Sequence, residues 1–208
     1  MTNQMSDTSA LLDRAEAGDA RARQELLTRH RDRLSRMVTV RFDRRLAARV
    51  DPSDIVQETL TDAAGRLDQY LLERPIAYYP WLRRLALDRL DKTFRRHTAD
   101  RRDIAREEPP ALPDESVYEL AERLLAANAD PVRAVQRKER KAQVRSLLDQ
   151  LPAADREVLA LRFLEQLSTS ETAEVLGTTQ GAVRLRLMRA LQRLRSQLGD
   201  DSLGEQVS

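Results

Sequence analysis

Apolar residues recur every three or four positions along most of this chain, with polar residues filling the intervals, which is the period of amphipathic helices. Leu26, Leu27, His30, Leu34 and Met37 share one helical face, and Asp19 stands where an N-cap belongs. Asp51-Pro52 opens the next helix, the carboxylate as N-cap and the proline in the first turn, where a missing N–H costs nothing. On that helix Ile55, Val56, Leu60, Ala63, Leu67 and Tyr70 point inward. Asp54, Gln57, Glu58, Thr61, Gly65 and Asp68 cluster on the opposite side, an acidic face on which Gly65 has no side chain to hold a partner helix away. "ERPIAYYP" contains Pro75 and Pro80 and predicts a loop. After it Trp81 begins a helix with Leu82, Leu85, Ala86 and Leu90 on one face.

"EEPPALPDES" is a linker by its prolines and acids, and Ser116 with Glu119 has capping-box spacing for a short helix, "SVYELAERLLA", within the connection. Asp130-Pro131 repeats the cap-plus-proline start. Farther on, Ser168 and Glu171 form a second capping box that starts "TSETAEVL". Ala173, Gly177 and Val183 then have the small–turn–apolar spacing of a helix-turn-helix, with Thr179 as N-cap of its second helix. Val183, Leu187, Ala190, Leu191 and Leu194 make that helix's inward stripe.

No stretch alternates β-branched and polar residues, so the fold class is all-α. Aromatic residues at 4% and charged residues at 34% argue against one large core. Two small helical domains are expected, over 9–102 and 131–198, joined by an acidic linker over 103–130 and followed by a tail at 199–208.

Charge changes the picture. With 36 Lys+Arg against 34 Asp+Glu the formal charge is only +2, yet the signs are segregated. Acids dominate from Asp51 to Glu73 and again from Glu107 to Asp130. Bases dominate from Arg83 to Arg106, and no acid lies between Glu174 and Asp200. Two basic helices separated by an acidic spacer suit two nucleic-acid contacts. Arg184, Arg186 and Arg189 lie off the apolar stripe, free to meet phosphates and base edges in a major groove. Few phosphate contacts come from one helix, each worth roughly 0.9 in the log–log salt slope, so other parts of the protein must add affinity.

"LLDQLPAADREVLALRFLEQLSTSETAEVLGTTQGAVRLRLMRALQRLRSQL" resembles region four of bacterial extracytoplasmic-function (ECF) sigma factors. "DPSDIVQETLTDA" resembles the region-two helix by which these factors grip core RNA polymerase, and "WLRRLALDRLDKTFRRH" the following helix, which holds melted promoter DNA. The resemblance runs from about Ala10 to Leu198. It implies promoter-specific transcription initiation, with core RNA polymerase and promoter DNA as partners. By resemblance, Asp54, Gln57 and Glu58 contact the polymerase, and Thr179, Gln180, Arg184, Leu185, Arg186 and Arg189 face the upstream element. Tyr78, Tyr79, Arg83, Arg84, Arg95 and Arg96 face the melted element: the loop tyrosines would stack on unpaired bases beside arginines that hold the backbone, while Trp81 is read as a core anchor. The linker carboxylates Glu107, Glu108, Asp114 and Glu115 either mimic an RNA backbone in the polymerase channel or form a soluble spacer. Such families also admit an anti-sigma partner, for which no surface can be named from the sequence. This chain departs from the family pattern at Asp88, where Asn is frequent, and at Leu185 and Met188, where polar residues are usual.

The remaining classes have little support. No cysteine is present, so disulfides and thiolate metal sites are excluded. His30 on an apolar face and His97 at the end of a basic helix make no metal cluster, and no P-loop or G-x-S-x-G occurs. No enzyme, cofactor, metal or small-molecule substrate is expected. With no signal peptide and no apolar run able to span a bilayer, a cytoplasmic protein without a membrane partner is expected.

Overall fold

The computed structural model describes residues 3–97, 112–126 and 136–198. Those residues form ten α-helices and no strand, and the chain divides into two compact units, 1–110 and 111–208.

The first unit contains α1 (Asn3–Glu16), α2 (Ala20–Arg29), α3 (Arg31–Arg41), a 3-10 turn at Arg44–Leu46, α4 (Pro52–Glu73) and α5 (Tyr78–His97). Asp19 caps α2 by accepting from the Arg21 and Ala22 N–H groups at 2.9 and 3.2 Å. The Arg14 guanidinium and these amides hold its carboxyl below the usual carboxylate range. The face expected to run unbroken from Leu26 to Met37 is divided between two helices. The backbone leaves regular helix at His30 (φ −95°, ψ 0°), and α2 and α3 both turn apolar residues to one core. His30 is itself buried, its ring 5.3 and 5.9 Å from those of Tyr78 and Tyr79.

Asp51 caps α4 by accepting from the Ser53 N–H at 2.7 Å, with Pro52 as the first helical residue. This hydrogen bond keeps the Asp51 carboxyl ionised below the usual range. At the other end Arg74 adopts a left-handed conformation (φ +37°) and donates its N–H to the Tyr70 carbonyl at 2.8 Å. Its guanidinium pairs with Asp13 at 3.3 Å and Glu16 at 2.5 Å, which ties the end of α4 to α1.

The second unit contains α6 (Asp114–Ala126), α7 (Gln136–Gln150), α8 (Ala153–Leu159), a π-type turn at Ala160–Leu164, α9 (Thr169–Val175) and α10 (Gln180–Leu198). The expected Ser116–Glu119 capping box does not start α6, which begins two residues earlier. The Ser116 and Val117 N–H groups both donate to the Pro113 carbonyl, at 2.9 and 3.1 Å, and Ser116 is buried inside the helix. Nor is α6 part of a spacer. Val117, Leu120, Ala121 and Leu124, at the i, i+3, i+4, i+7 spacing of one face, are buried against α7 and the π-type turn. Arg123 adds a hydrogen bond to the Phe163 carbonyl at 2.9 Å. Residues 114–126 of the expected 103–130 linker therefore fold into the second unit. Glu107, Glu108, the Asp130-Pro131 start and the 199–208 tail lie outside the described residues.

Candidate interfaces for protein and nucleic acid

The helix-turn-helix is α9 and α10. Ser168 and Glu171 close a reciprocal capping box, the Glu171 N–H on the Ser168 hydroxyl at 3.2 Å and the Ser168 N–H on the Glu171 carboxylate at 2.8 Å. Gly177 makes the turn with φ +59°, a conformation that disfavours any side chain. Thr179 then caps α10, its hydroxyl accepting from the Ala182 N–H at 3.2 Å. Val183, Leu187, Ala190, Leu191 and Leu194 are buried, which fixes the rotation of α10. The opposite face turns outward, and on it Gln180, Arg184, Leu185, Arg186, Met188 and Arg189 are exposed. Arg186 lies 3.9 Å from Asp155, a buried carboxylate on α8 that also pairs with Arg193. Arg184 and Arg189 make no ion pair among the described residues, so they carry the free positive charge of the face.

On α5 the sequence-predicted residues divide. Arg84, Arg95 and Arg96 are exposed, with Arg95 2.9 Å from Asp91. Tyr78, Tyr79 and Arg83 are buried, at 2%, 4% and 5% exposure, and are not placed for base stacking or strand contact. The expected loop ends before them because Pro80 is the third residue of α5. Its missing N–H falls in the first turn, where no intrahelical partner is lost. Tyr78 packs against Tyr70 and Trp81 at 5.4 and 5.6 Å between ring centroids, and burial pushes its phenol pKa up. Arg33 covers the Tyr79 ring, its guanidinium carbon 3.9 Å from the centroid. Trp81 stacks on Tyr70 at 4.5 Å, the core anchor expected of it. The signal for the tyrosines was present: Tyr78, Leu82 and Ala86 extend the inward stripe of α5 backward at intervals of four.

On α4, Asp54, Gln57 and Glu58 are all exposed and lie together, with Thr61, Gly65 and Asp68 continuing the same face. Asp54 has no ion pair among the described residues. Gln57 accepts a hydrogen bond from Arg31 at 3.0 Å. Arg89 of α5, which the sequence did not single out here, reaches across to Glu58 at 3.1 Å and to Asp62. Pairing reduces the net negative charge of the face and orients Glu58, but leaves it open to solvent.

Comparisons with known proteins identify the family. The family model for sigma-70 region 4 matches residues 141–194. The ECF RNA polymerase sigma factor SigD of Mycobacterium tuberculosis is 31% identical over 203 residues, covering 95% of this chain and 87% of that protein. This chain belongs to the ECF RNA polymerase sigma factors. The sigma factor is also 30% identical over 190 residues to ShbA of Streptomyces griseus, with 90% of this chain and 93% of that one covered. The solved structure of CnrH in complex with the cytosolic domain of CnrY is similar at 26% identity and a TM-score of 0.47, covering 93% of this chain and 97% of that one. Sigma factors are not enzymes. Among the described residues no group of three His, Cys, Asp or Glu could hold a metal ion, and no helix is long and apolar enough to cross a membrane.

Proposed function

We propose that this sigma factor binds core RNA polymerase through the exposed face of α4, with Asp54, Gln57 and Glu58 as contacts, and directs it to promoters that α10 reads in duplex form. Thr179, Gln180, Arg184, Leu185, Arg186 and Arg189 face the upstream element, and the exposed Arg84, Arg95 and Arg96 of α5 hold the melted strand downstream. The observation that carries this assignment is the sorting of charge by surface. The first unit presents a carboxylate- and amide-bearing helix face with its apolar side fully engaged, suited to a basic protein helix. The second presents a recognition helix whose outward side bears no acid.

Transcription reconstituted with core polymerase tests it. Adding the chain should create new start sites on genomic DNA. The Gln57→Ala, Glu58→Ala double variant should lower polymerase affinity about tenfold or more while keeping the wild-type melting temperature, since both side chains are exposed. Equal co-elution of that variant with polymerase would remove α4 from the interface.

A further inference from the structure

Two large apolar side chains stand on the outward face of α10, Leu185 at 43% and Met188 at 47% exposure. The buried stripe sets the helix rotation, and at about 100° per residue Leu185 lies almost opposite the middle of that stripe. Met188, three residues on, is its neighbour on the helix surface. Packing inside the unit explains neither residue, since both meet water that an inward position would exclude. Their surroundings have one sign of charge: Arg184 and Arg189 flank them, and α10 contains no acid.

Gly181 lies one turn before Leu185 on the same exposed face. A Cβ there would meet only the Thr179 hydroxyl, at 3.9 Å, which is ordinary contact. The fold therefore gives no reason for a residue that weakens a helix relative to alanine. What glycine supplies at this position is room for something that approaches the backbone from outside.

We infer that Leu185 and Met188 read the 5-methyl groups of thymines in the major groove of the upstream element, an assignment that rests on α10 being the helix that enters the groove. Thymine alone of the four bases presents a methyl group there. Against any other base a leucine would cover donors and acceptors without satisfying them, which costs affinity. Arg184 and Arg189 hold the phosphates on either side of the groove, and Gly181 lets the first turn of α10 sit deep. A rim of arginines complements a polyanion, which favours DNA over an apolar protein groove as the occupant.

Holoenzyme assembled from the full chain and core polymerase tests this on duplex DNA selected from a library randomised across the upstream element. Thymine should be enriched at one or two positions. Replacing each such thymine with deoxyuridine removes only the methyl group, and should weaken binding about fourfold per position, the ratio that burying one methyl-sized group is worth. Leu185→Ala or Met188→Ala should abolish the deoxyuridine effect at one position and preserve it at the other. The DNA-side change leaves the protein intact, so misfolding cannot imitate the result. Equal binding of thymine and deoxyuridine duplexes, with Arg184→Ala still weakening both, overturns the methyl contact and leaves groove entry standing. Unchanged binding by Arg184→Ala and Arg189→Ala overturns groove entry itself. Wild-type DNA binding by Leu185→Ala and by Met188→Ala, with the deoxyuridine effect intact in both, overturns the inference by removing these side chains from the contact.

Discussion

Asp88 lies exposed on α5, one turn beyond Arg84 and two turns before Arg95, on the stripe assigned to the melted strand. It makes no ion pair among the described residues, so its charge faces whatever the arginines face. A carboxylate about 8 Å from a strand phosphate costs roughly 0.5 kcal/mol in water, and salt screens most of that at physiological strength. Asp88→Asn should therefore strengthen holoenzyme binding to a single-stranded promoter oligonucleotide about twofold at low salt, with the gain fading as salt rises. Arg84→Ala should do the reverse. Fluorescence anisotropy across a salt series reads both, and an affinity indifferent to Asp88→Asn at low salt would place the strand elsewhere. At this scale the sequence was legible where chemistry is local. The exposed face holding Asp54, Gln57 and Glu58 was legible from helical spacing, because exposure on a helix follows from the period of its apolar residues, whereas their part in polymerase contact came from the resemblance. Tyr78 and Tyr79 were misread because proline is a loop signal everywhere except in a helix's first turn. Burial of an aromatic ring also depends on residues distant in sequence, here His30 and Arg33.

As an element, α4 has one buried side and one exposed side. Its inner side is committed to the core, and its outer side contains Gly65, where a Cβ would have nothing within 4 Å. Alanine fits that backbone and should stabilise the helix by roughly 0.5–1 kcal/mol. A partner helix packed closely over the same face would meet the added methyl. Gly65→Ala should thus raise the melting temperature while weakening polymerase binding, a split that a purely structural role for Gly65 does not produce. Thermal denaturation and competition for core polymerase measure the two effects separately. If both improve, the polymerase does not approach at Gly65. Element boundaries were readable where the start signal is a side chain bonding its own backbone, as at Asp51 and Ser168–Glu171, and where a turn takes the positive φ that glycine adopts freely, as at Gly177. They were missed at α6, because Pro113 starts that helix with its carbonyl, and Ser116 is drawn inside by burial rather than left free to cap.

For the whole molecule, the decisive question is where one fold ends and the next begins. Composition placed residues 103–130 in a linker because prolines and acids crowd its first part. The pattern Val117, Leu120, Ala121, Leu124 tells a different story, one that only packing resolves: an amphipathic helix needs a surface, and α7 with the π-type turn supplies it. Burying Val117, Leu120 and Leu124 is worth about 1.5–3 kcal/mol for each side chain, before entropy is subtracted. Total stability of a small domain is of order 5–15 kcal/mol. Removing α6 therefore takes away a large fraction of what holds the second unit together, and uncovers the apolar surface beneath it. A fragment of residues 111–208 should unfold cooperatively, whereas one of residues 131–208 should have a melting temperature lower by 10 °C or more, or no transition, since each kcal/mol is worth roughly 4–8 °C in a domain of this size. The same truncation should weaken upstream-element binding in proportion to the fraction unfolded, because α10 is positioned by the core that α6 completes. Calorimetry of the two fragments checks the first outcome, and DNA titration at 10 °C, where more of the shorter fragment is folded, checks the second. Equal melting of both fragments would return α6 to the connector and make the four buried side chains incidental to the fold.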